Sequence, residues 1–469
     1  MLTRTVKSGL EKIAGPANVS FSREDLLCYS YDATGASHMP DAVVFPGGAG
    51  EISLILKMAN AEGFPVTPRG AGSGFTGGSL PVGGGVVLST ERMTALVEID
   101  TANFTAVVEP GVITGDLQKE VEKVQLFYPP DPTSKGFSTI GGNIAECAGG
   151  PRALKYGVTR DYVLGLEVVL PTGEIVNTGT RTAKGVVGYD MTRLLVGSEG
   201  TLGVVTKATL RLIPLPQSKK TLVALFPRLE DAASAVAGII ASKVLPSTLE
   251  LIDAASLRCV EDYTGTVFSN AAGAMLLIEA DGIEEATERE AEIIKKVCAE
   301  NRATEVRSAR DGKEVDELWK VRRALSPSLS RLKPTKLNED VVVPRSKLVE
   351  LVRGVEEIAK KRGVIIASFG HAGDGNIHVN VMIDKSDPVE AEAGERAVED
   401  IFELTVGLGG TISGEHGVGV TKAPYLGMEL TPELIDVMRR IKDTLDPNGI
   451  LNPGKIFNSI STAGRREEV

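Results

Sequence analysis

Three of the chain's four histidines fall between residues 371 and 416, in two glycine-rich segments. His371 and His378 belong to GHAGDGNIHVN, and His416 follows Glu415 in SGEHGVG. Two imidazoles and one carboxylate can hold Zn²⁺, Mn²⁺ or Fe²⁺ with coordination positions left open. A 2-hydroxy acid fills such positions with its hydroxyl and one carboxylate oxygen, and the ion then lowers the pKa of that hydroxyl. The pattern therefore predicts metal-assisted removal of a proton, with His416 as the base.

The elements that carry these histidines are predicted to be strands and turns. The two histidines of GHAGDGNIHVN have a spacing that one helical face would share, but Gly373 and Gly375 disfavour a helix. A hairpin that turns at GDG brings both rings to one rim instead. The third histidine comes from another turn, in which Gly414, Gly417 and Gly419 permit a close approach of the chain. The alternative to a metal site is a set of hydrogen-bonded structural histidines.

Three more glycine-rich segments lie in the first part of the chain, at residues 67–81, 128–157 and 197–205. Glycine adopts positive φ and lets backbone amides turn inward around an anion, so such loops suit a pyrophosphate. The first segment, TPRGAGSGFTGGSLP, lacks the dinucleotide-binding fingerprint, which needs a sixth-place glycine and a following helix, and also lacks a P-loop lysine. Three such segments favour one extended ligand, and flexible surface loops are the alternative.

Length and composition limit the class of protein. A chain of 469 residues exceeds the size of a single core, so two or three domains are expected. The net charge of −11 argues against a nucleic-acid partner. Cys28, Cys147, Cys259 and Cys298 form no C-x-x-C pair, which excludes an in-chain iron–sulfur cluster of ferredoxin type and gives no disulfide framework. With no apolar stretch long enough to span a membrane, a cytoplasmic protein is expected, and peripheral membrane attachment is left open.

Hydrophobic patterning predicts an α+β protein in four segments. Residues 1–35 are expected to be helical, and residues 36–215 to follow a β-α-β rhythm up to the proline-rich IPLPQSKK. Residues 216–410 alternate strands with amphipathic helices such as GIEEATEREAEIIKKVCAE, and residues 411–469 carry one further helix. The first helix of the β-α-β rhythm has an apolar face made of Ile52, Ile55, Leu56 and Ala59.

Seven motifs resemble, in order and spacing, one known group of flavoproteins. They are PRGAGSGFTGGSLP, PPDPTSKGFSTIGGNIAECAGG, LKYG, GSEGTLGVV, GHAGDGNIHVN, SGEHGVG and LNPGKIF. The set is similar to the FAD-linked D-lactate dehydrogenase and glycolate oxidase (catalytic subunit) group of the vanillyl-alcohol-oxidase/p-cresol-methylhydroxylase (PCMH) superfamily. The resemblance implies a PCMH-type FAD-binding domain of two α/β subdomains, an α+β cap domain with an antiparallel sheet, and a C-terminal helical segment that returns to the FAD domain.

The same resemblance assigns the residues that bind FAD. Those expected to hold the pyrophosphate are Arg69, Gly70, Ala71, Gly72, Ser73, Gly74 and Thr76. Those expected to line the flavin and its ribityl chain are Pro130, Asp131, Thr139, Gly141, Gly142, Asn143, Ala148 and Gly149. Those expected toward the adenine are Glu199, Gly200 and Val205, and Asn452 is expected near the ring. The glycine loop has no histidine and Cys147 is taken as a packing residue, so FAD is predicted to be noncovalent.

Metal and substrate residues also follow from the resemblance. It assigns the metal to His371, His378 and Glu415, and the catalytic proton to His416. Asn376 and Asn380 are expected to hold the substrate or the site. Arg322, in LWKVRRALSPSL, is expected to pair with the substrate carboxylate, for which a guanidinium is suited, with the adjacent Arg323 as the alternative register. Lys336 is a weaker candidate for the same task.

These assignments imply a dehydrogenase that oxidises a D-2-hydroxy acid, with D-lactate first and glycolate second, to the 2-oxo acid. Hydride passes to the flavin. Because the chain has no cluster of its own, the electrons are expected to leave to an external acceptor: an electron-transferring flavoprotein, an iron–sulfur subunit or a quinone. A homo- or hetero-oligomer is expected. The alternatives are a D-2-hydroxyglutarate dehydrogenase and a non-catalytic FAD-binding subunit of a larger complex.

Overall fold

The structure is a computed structural model that describes residues 2–266, 268 and 272–457. It divides into two compact units. Unit 1 contains the described residues of 1–148, 158–215 and 415–469. Unit 2 contains the described residues of 149–157 and 216–414.

Helices and strands occur along the whole described chain. The helices are α1 Arg4–Ala14, α2 Arg23–Cys28, α3 Ala49–Glu62, α4 Thr114–Glu122, α5 Ile140–Glu146, α6 Ala153–Tyr156, α7 Met191–Leu195, α8 Leu229–Ala241, α9 Ala254–Thr264, α10 Glu284–Glu300, α11 Gly312–Ser328, α12 Leu348–Arg362, α13 Pro388–Gly407, α14 Leu426–Glu429 and α15 Pro432–Leu445. The strands are β1 Val19–Ser20, β2 Ala42–Val44, β3 Val66–Arg69, β4 Val86–Ser89, β5 Leu96–Asp100, β6 Thr105–Val108, β7 Leu126–Phe127, β8 Val163–Val169, β9 Ile175–Gly179, β10 Val204–Arg211, β11 Ile213–Pro214, β12 Ser218–Phe226, β13 Thr248–Asp253, β14 Ala274–Gly282, β15 Glu305–Ser308, β16 Thr335–Val342, β17 Ile365–His371 and β18 Asn376–Ile383.

The first sheet of unit 1 has the strand order β1-β2-β4-β3, and β2, β4 and β3 are parallel. Helix α3 connects β2 to β3, and it buries the four apolar side chains that the sequence places on one face. Gly63 ends α3 in a left-handed conformation (φ 72°). A β-α-β unit needs a crossover helix of this kind, so the predicted rhythm is confirmed for this sheet.

The second sheet of unit 1 corrects the rhythm predicted for the remainder of residues 36–215. Its order is β5-β6-β10-β8-β9, and every pair is antiparallel. Tight turns join β5 to β6 and β8 to β9, so no crossover helix is required there. Burial alternates along β10, as expected for a strand with one covered face. Apolar runs such as GLEVV do not distinguish parallel from antiparallel pairing.

Unit 2 is built on one seven-stranded sheet with the order β15-β12-β14-β13-β17-β18-β16. All of its pairs are antiparallel. Helices α9 and α11 pack on one face, in an apolar cluster that includes Ile252, Leu318 and Phe369. The charged segment GIEEATEREAEIIKKVCAE forms α10, as predicted. The antiparallel sheet of unit 2 and the four- and five-stranded sheets of unit 1 confirm the predicted α+β class.

The units and the predicted segments do not share all their limits. Unit 2 begins its long segment at Pro216, the last residue of the proline-rich IPLP. Residues 1–35 are part of unit 1, where Val6 and Leu10 of α1 enter the core. Residues 149–157, which include LKYG, group with unit 2 instead. Of the predicted C-terminal segment, residues 458–469 lie outside the described residues.

Candidate functional site

The predicted hairpin is present in unit 2. Strand β17 ends at His371, and β18 carries His378 two residues after its start. The two rings lie 5.2 Å apart, edge to face. Gly375 makes this turn possible, because it has φ 87° and a Cβ there would collide with the carbonyl of Val343. The hairpin prediction is confirmed.

Each candidate side chain of the hairpin has a polar partner on the neighbouring strand. Glu250 of β13 is paired with His371 in the sheet register, and its carboxylate lies 2.5 Å from Nδ1. Asp340 of β16 is paired with His378, with 3.7 Å between its Oδ1 and Nδ1. Cross-strand partners project from the same face of a sheet, so the register itself collects these groups. A one-residue slip would move them to the opposite face.

Arg322 comes from α11 and reaches the same face of the sheet. Its Nε donates to Glu250 at 2.5 Å, and its side chain is only 4% exposed. The guanidinium carbon lies 5.1 Å from the ring centre of Phe369, a cation–π distance. Burial raises the pKa of Glu250, but the neighbouring Arg322 and His371 outweigh burial and lower it to about 2. Glu250 is therefore an ionised carboxylate inside unit 2.

The other polar residues predicted for this site are largely engaged by the protein. The amide of Asn380 donates to two backbone carbonyls, at 3.0 and 3.1 Å, and its oxygen accepts from Asn338. The amide of Asn376 donates to Asp340 at 2.5 Å. Lys336 donates to Ser326 at 2.6 Å, and burial lowers its pKa. Both asparagines thus brace the strands around the histidines, and their contact with a substrate stays a prediction.

Two carboxylates of this cluster, Glu250 and Asp340, were missed from the sequence. The signal was an acidic residue inside an otherwise apolar strand, in TLELID and in NEDVVVP. A buried acid in such a strand needs a cationic or donor partner. Asp340 also accepts from the backbone N–H of Gly414 at 3.0 Å, and the predicted ligand Glu415 is the next residue in the chain. Imidazoles and carboxylates of this kind fit Zn²⁺, Mn²⁺ or Fe²⁺.

The three glycine-rich segments of the first half come together in unit 1. A Cβ at Gly70 would collide with the hydroxyl of Thr139, and a Cβ at Gly78 would lie 2.6 Å from the Glu146 carboxylate. The third segment joins them through the N–H of Glu199, which donates to the Ala145 carbonyl at 2.8 Å. These segments lie far apart in the chain, so their meeting supports the prediction of one extended ligand.

Within the first segment, the side chain of Arg69 is buried against the loop. Its guanidinium donates to the carbonyl of Tyr31 at 2.8 Å and to the hydroxyl of Ser79 at 3.3 Å. Gly72 has φ 66°, and a Cβ there would collide with this guanidinium. Arg69 thus holds the loop in shape, and direct contact with a pyrophosphate stays a prediction.

The second segment supplies a short helix and its cap. Thr139 begins α5 by accepting the N–H of Gly142 at 3.2 Å, and Asn143 donates to Thr114 at 2.6 Å. The carbonyl of Pro130 accepts from Gln118 at 2.9 Å. The remaining predicted residues of this segment that group with unit 1 are Asp131, Gly141 and Ala148. Gly149, the last residue predicted there, is the first residue of the segment that groups with unit 2.

Glu199 connects the third segment to the turn that carries His416. Its carboxylate accepts the N–H of Val418 at 2.8 Å and of Gly419 at 2.6 Å. Burial raises the pKa of Glu199, and burial and the nearby Glu199 raise the pKa of Glu146 well above its usual value. The side chain predicted to lie toward the adenine therefore fastens a glycine turn. Glu146 was missed as a site residue, and its burial next to a second carboxylate has no signal in the sequence.

The His416 turn also contacts the first glycine segment. Thr76 donates its hydroxyl to the carbonyl of His416 at 2.9 Å, and the ring of Phe75 lies 5.1 Å from the imidazole. Asn452, from LNPGKIF, donates to the carbonyls of Gly78 and Glu199 at 2.9 and 2.8 Å. Unit 1 therefore gathers the predicted base, the predicted flavin-ring asparagine and the glycine segments.

The residues of unit 1 fit a bound dinucleotide. Glycines with no room for a Cβ form the loop, and the buried oxygens that accept no hydrogen bond from the described residues include Glu146 Oε2 and Asn452 Oδ1. Such oxygens are costly unless a ligand or water satisfies them. Burial raises the pKa of the Cys147 thiol, which favours its protonated form. None of the helices within the described part of the chain could cross a bilayer.

Two family models match this chain. The C-terminal domain of FAD linked oxidases matches residues 215–456, and an FAD binding domain matches residues 40–179. Glycolate oxidase subunit GlcD of Bacillus subtilis is 49% identical over 97% of both chains. D-lactate dehydrogenase of Archaeoglobus fulgidus is 40% identical over 92% of this chain and 96% of its own length.

Solved structures share the fold at low sequence identity. Substrate-bound p-cresol methylhydroxylase superposes with a TM-score of 0.81 at 18% identity, covering 97% of this chain and 98% of its own. The 4-ethylphenol oxidase of Gulosibacter chungangensis superposes with a TM-score of 0.78 at 20% identity and 97% coverage of both chains.

Proposed function

Because this chain belongs to the FAD-linked oxidase family and is an FAD-dependent oxidoreductase, we propose that it oxidises a small D-2-hydroxy acid to the 2-oxo acid. D-lactate and glycolate are the proposed substrates, in that order. The relatives named for these two acids support the substrate class. The observation that carries the proposal is the buried group of Glu250, Arg322, His371 and His378 on one face of the unit 2 sheet.

FAD is proposed to bind noncovalently to the glycine segments of unit 1. When bound, it supplies the acceptor for the hydride that leaves the substrate carbon. The residues proposed to hold it are those predicted from the sequence, at 69–76, 130–149, 199–205 and Asn452. The protein's part is to shape the loop, through Arg69 and the glycines, and to keep a protonated thiol beside it.

A divalent cation is proposed to be held by His371, His378 and Glu415, and Asp340 lies beside one of these imidazoles. When bound, it supplies a Lewis acid that favours loss of the hydroxyl proton. Neutral imidazole and ionised carboxylate are the ligand forms required. Support comes from the donor types of unit 2 and from the direct succession of Gly414 and Glu415.

Arg322 is proposed to bind the substrate carboxylate, because a guanidinium presents two parallel donors to two oxygens. Its Nη2 is buried and donates to nothing among the described residues, so this donor is available. His416 is proposed to accept the hydroxyl proton on an imidazole nitrogen. Lys336, Asn376 and Asn380 are proposed to stabilise the bound acid or the strands around it.

An external electron acceptor is proposed, either an electron-transferring flavoprotein, an iron–sulfur subunit or a quinone. The four cysteines are scattered in the sequence, and Cys259 and Cys298 are buried. The relative named a glycolate oxidase subunit supports assembly with a partner chain. Rapid turnover with oxygen as the only acceptor would contradict this proposal.

The test is anaerobic reduction of the flavin by a panel of D- and L-hydroxy acids. We expect D-lactate or glycolate to bleach the visible flavin band in the metal-loaded protein. We also expect a chelator to abolish the bleaching and added Zn²⁺ or Mn²⁺ to restore it. A preference for D-2-hydroxyglutarate would make that acid the substrate in place of D-lactate and glycolate. A flavin that stays oxidised with every acid would indicate a non-catalytic subunit.

A further inference from the structure

Glu250 joins the two halves of the candidate site in unit 2. It lies fully buried in β13, with Oε1 2.5 Å from Nδ1 of His371 and Oε2 2.5 Å from Nε of Arg322. One carboxylate therefore contacts both His371, the proposed metal ligand, and Arg322, the side chain proposed to bind the substrate carboxylate. Its place follows from the register that pairs it with His371 across β13 and β17.

The contact with His371 determines which ring nitrogen carries the proton. A guanidinium is charged at every pH at which proteins fold, so Arg322 keeps its partner Glu250 ionised. An ionised carboxylate only accepts hydrogen bonds. Nδ1 of His371 is therefore the nitrogen that donates to Glu250, and in the neutral ring the lone pair lies on Nε2, the nitrogen that would ligate a cation.

The contact with Arg322 determines how the guanidinium is turned. Nε is held by Glu250, and the ring of Phe369 lies 5.1 Å from the guanidinium carbon. A planar group fixed by one edge and one face has little rotational freedom left. Its Nη2 is the buried donor that finds no acceptor within the described residues. The fork is thus oriented before any acid binds.

We infer that Glu250 is a positioning residue that sets the tautomer of His371 and the orientation of Arg322 at the same time. The inference rests on the proposed function for the roles of His371 and Arg322. Carboxylates that orient a metal-bound histidine commonly change metal affinity by about 10–100-fold when they are replaced.

The first test measures the tautomer in the wild-type, FAD-bound, metal-free protein. The chain has only four histidines, so ¹⁵N labelling of histidine gives few ring signals, and the His371→Gln variant assigns the one of interest. We expect His371 to carry its proton on Nδ1. A proton on Nε2 overturns the inference, and this readout needs neither activity nor a Glu250 variant.

The second test compares E250Q, E250D and the matched control E279Q. Glu279 is also a buried carboxylate, on the adjacent strand β14, where it accepts from Thr221 and Trp319 at 2.9 and 2.7 Å. In E250Q, an NH₂ group replaces one carboxylate oxygen of Glu250. This new donor faces another donor, either Nε of Arg322 or Nδ1 of His371. Calorimetric titration of the chelator-treated, FAD-bound protein with Zn²⁺ should show a dissociation constant about 10–100-fold higher.

E250D keeps the charge and should recover part of the Zn²⁺ affinity, and E279Q should match the wild type. KM for D-lactate should rise in E250Q and fall back in E250D, while E279Q leaves it unchanged. Equal Zn²⁺ affinity and KM in E250Q and wild type overturn the inference. A wild type that binds no Zn²⁺ and is not bleached by any acid refutes the proposed function, and the tautomer still decides the role of Glu250. If E250Q does not fold, the Zn²⁺ affinity and KM of E250D and the tautomer of His371 in the wild type test the inference.

Discussion

Removing both partners of the buried pair between Arg322 and Glu250 should cost less stability than the sum of the two single removals. Arg322 is 4% exposed and Glu250 0% exposed, with 2.5 Å between Nε and Oε2. Arg322→Met leaves a buried carboxylate without its guanidinium, which typically costs about 3–5 kcal/mol. The lowered pKa of Glu250, about 2 against 4.5, corresponds to about 3 kcal/mol in favour of its charged form.

The double variant R322M/E250Q removes both charges and leaves neither group buried opposite a missing partner. We expect its destabilisation to be smaller than the sum of the single variants by about 2–3 kcal/mol, the upper range for residues in direct contact. Trp319 provides the assay, because it is the chain's only tryptophan and lies in α11, the helix of Arg322. Its fluorescence during denaturant unfolding therefore reports on unit 2.

Additive losses, within about 0.5 kcal/mol, would refute the reasoning, because they would mean that the two groups do not interact in the folded protein. The pH dependence gives a second check. A carboxyl whose pKa is lowered on folding stabilises the protein above its ordinary pKa. The coupling should therefore be complete above pH 4.5 and fade as the pH falls toward about 2.

Three further variants test unit 1 and the edge of unit 2. G72A forces a methyl group at φ 66° into the Arg69 guanidinium and should lower the flavin content per chain. The control G63A, at φ 72° with open space around it, should retain the flavin. The visible absorbance of the purified protein measures the flavin content of both variants. E199Q replaces one of the two carboxylate oxygens that accept the backbone N–H groups of Val418 and Gly419. Hydrogen exchange at residues 417–419 should therefore become faster, on the order of tenfold. Unchanged exchange would contradict the role of Glu199 in holding this turn. Hydrogen bonds from the backbone and side chain of Arg310, and then from Arg307, lower the pKa of Glu314 to about 2. E314Q should therefore be less stable than the wild type at pH 7. The difference in unfolding midpoint should fade as the pH falls from 4.5 toward 2.

Local pattern was sufficient where short-range physics decides the structure. The apolar face of α3 and the hairpin that carries His371 and His378 both follow from spacing and glycine placement. In each case the deciding contacts lie within a few residues along the chain. The cofactor family also followed from the sequence, because seven ordered motifs carry more information than any single loop.

The pairing of strands that lie far apart in the chain could not be predicted from local sequence pattern. Glu250 was not singled out, because its importance comes from pairing with a strand more than a hundred residues later. Asp340 escaped because its contact with His378 comes from the pairing of β16 with β18, and Glu146 because its burial beside Glu199 has no signal in the sequence. The antiparallel order of the second sheet in unit 1 depends likewise on partners that periodicity does not identify. Sequence pattern thus predicted candidate reacting groups, while the carboxylates that contact them became visible only through the pairing of strands.

The most direct measurement is an anaerobic single turnover of the metal-loaded protein with D-lactate, in which flavin absorbance and 2-oxo acid are followed together. We expect one 2-oxo acid to form for each flavin bleached, and His416→Asn to bind the acid but to slow the bleaching strongly. Bleaching that needs no divalent cation, or that persists at the wild-type rate in His416→Asn, would contradict the proposed chemistry.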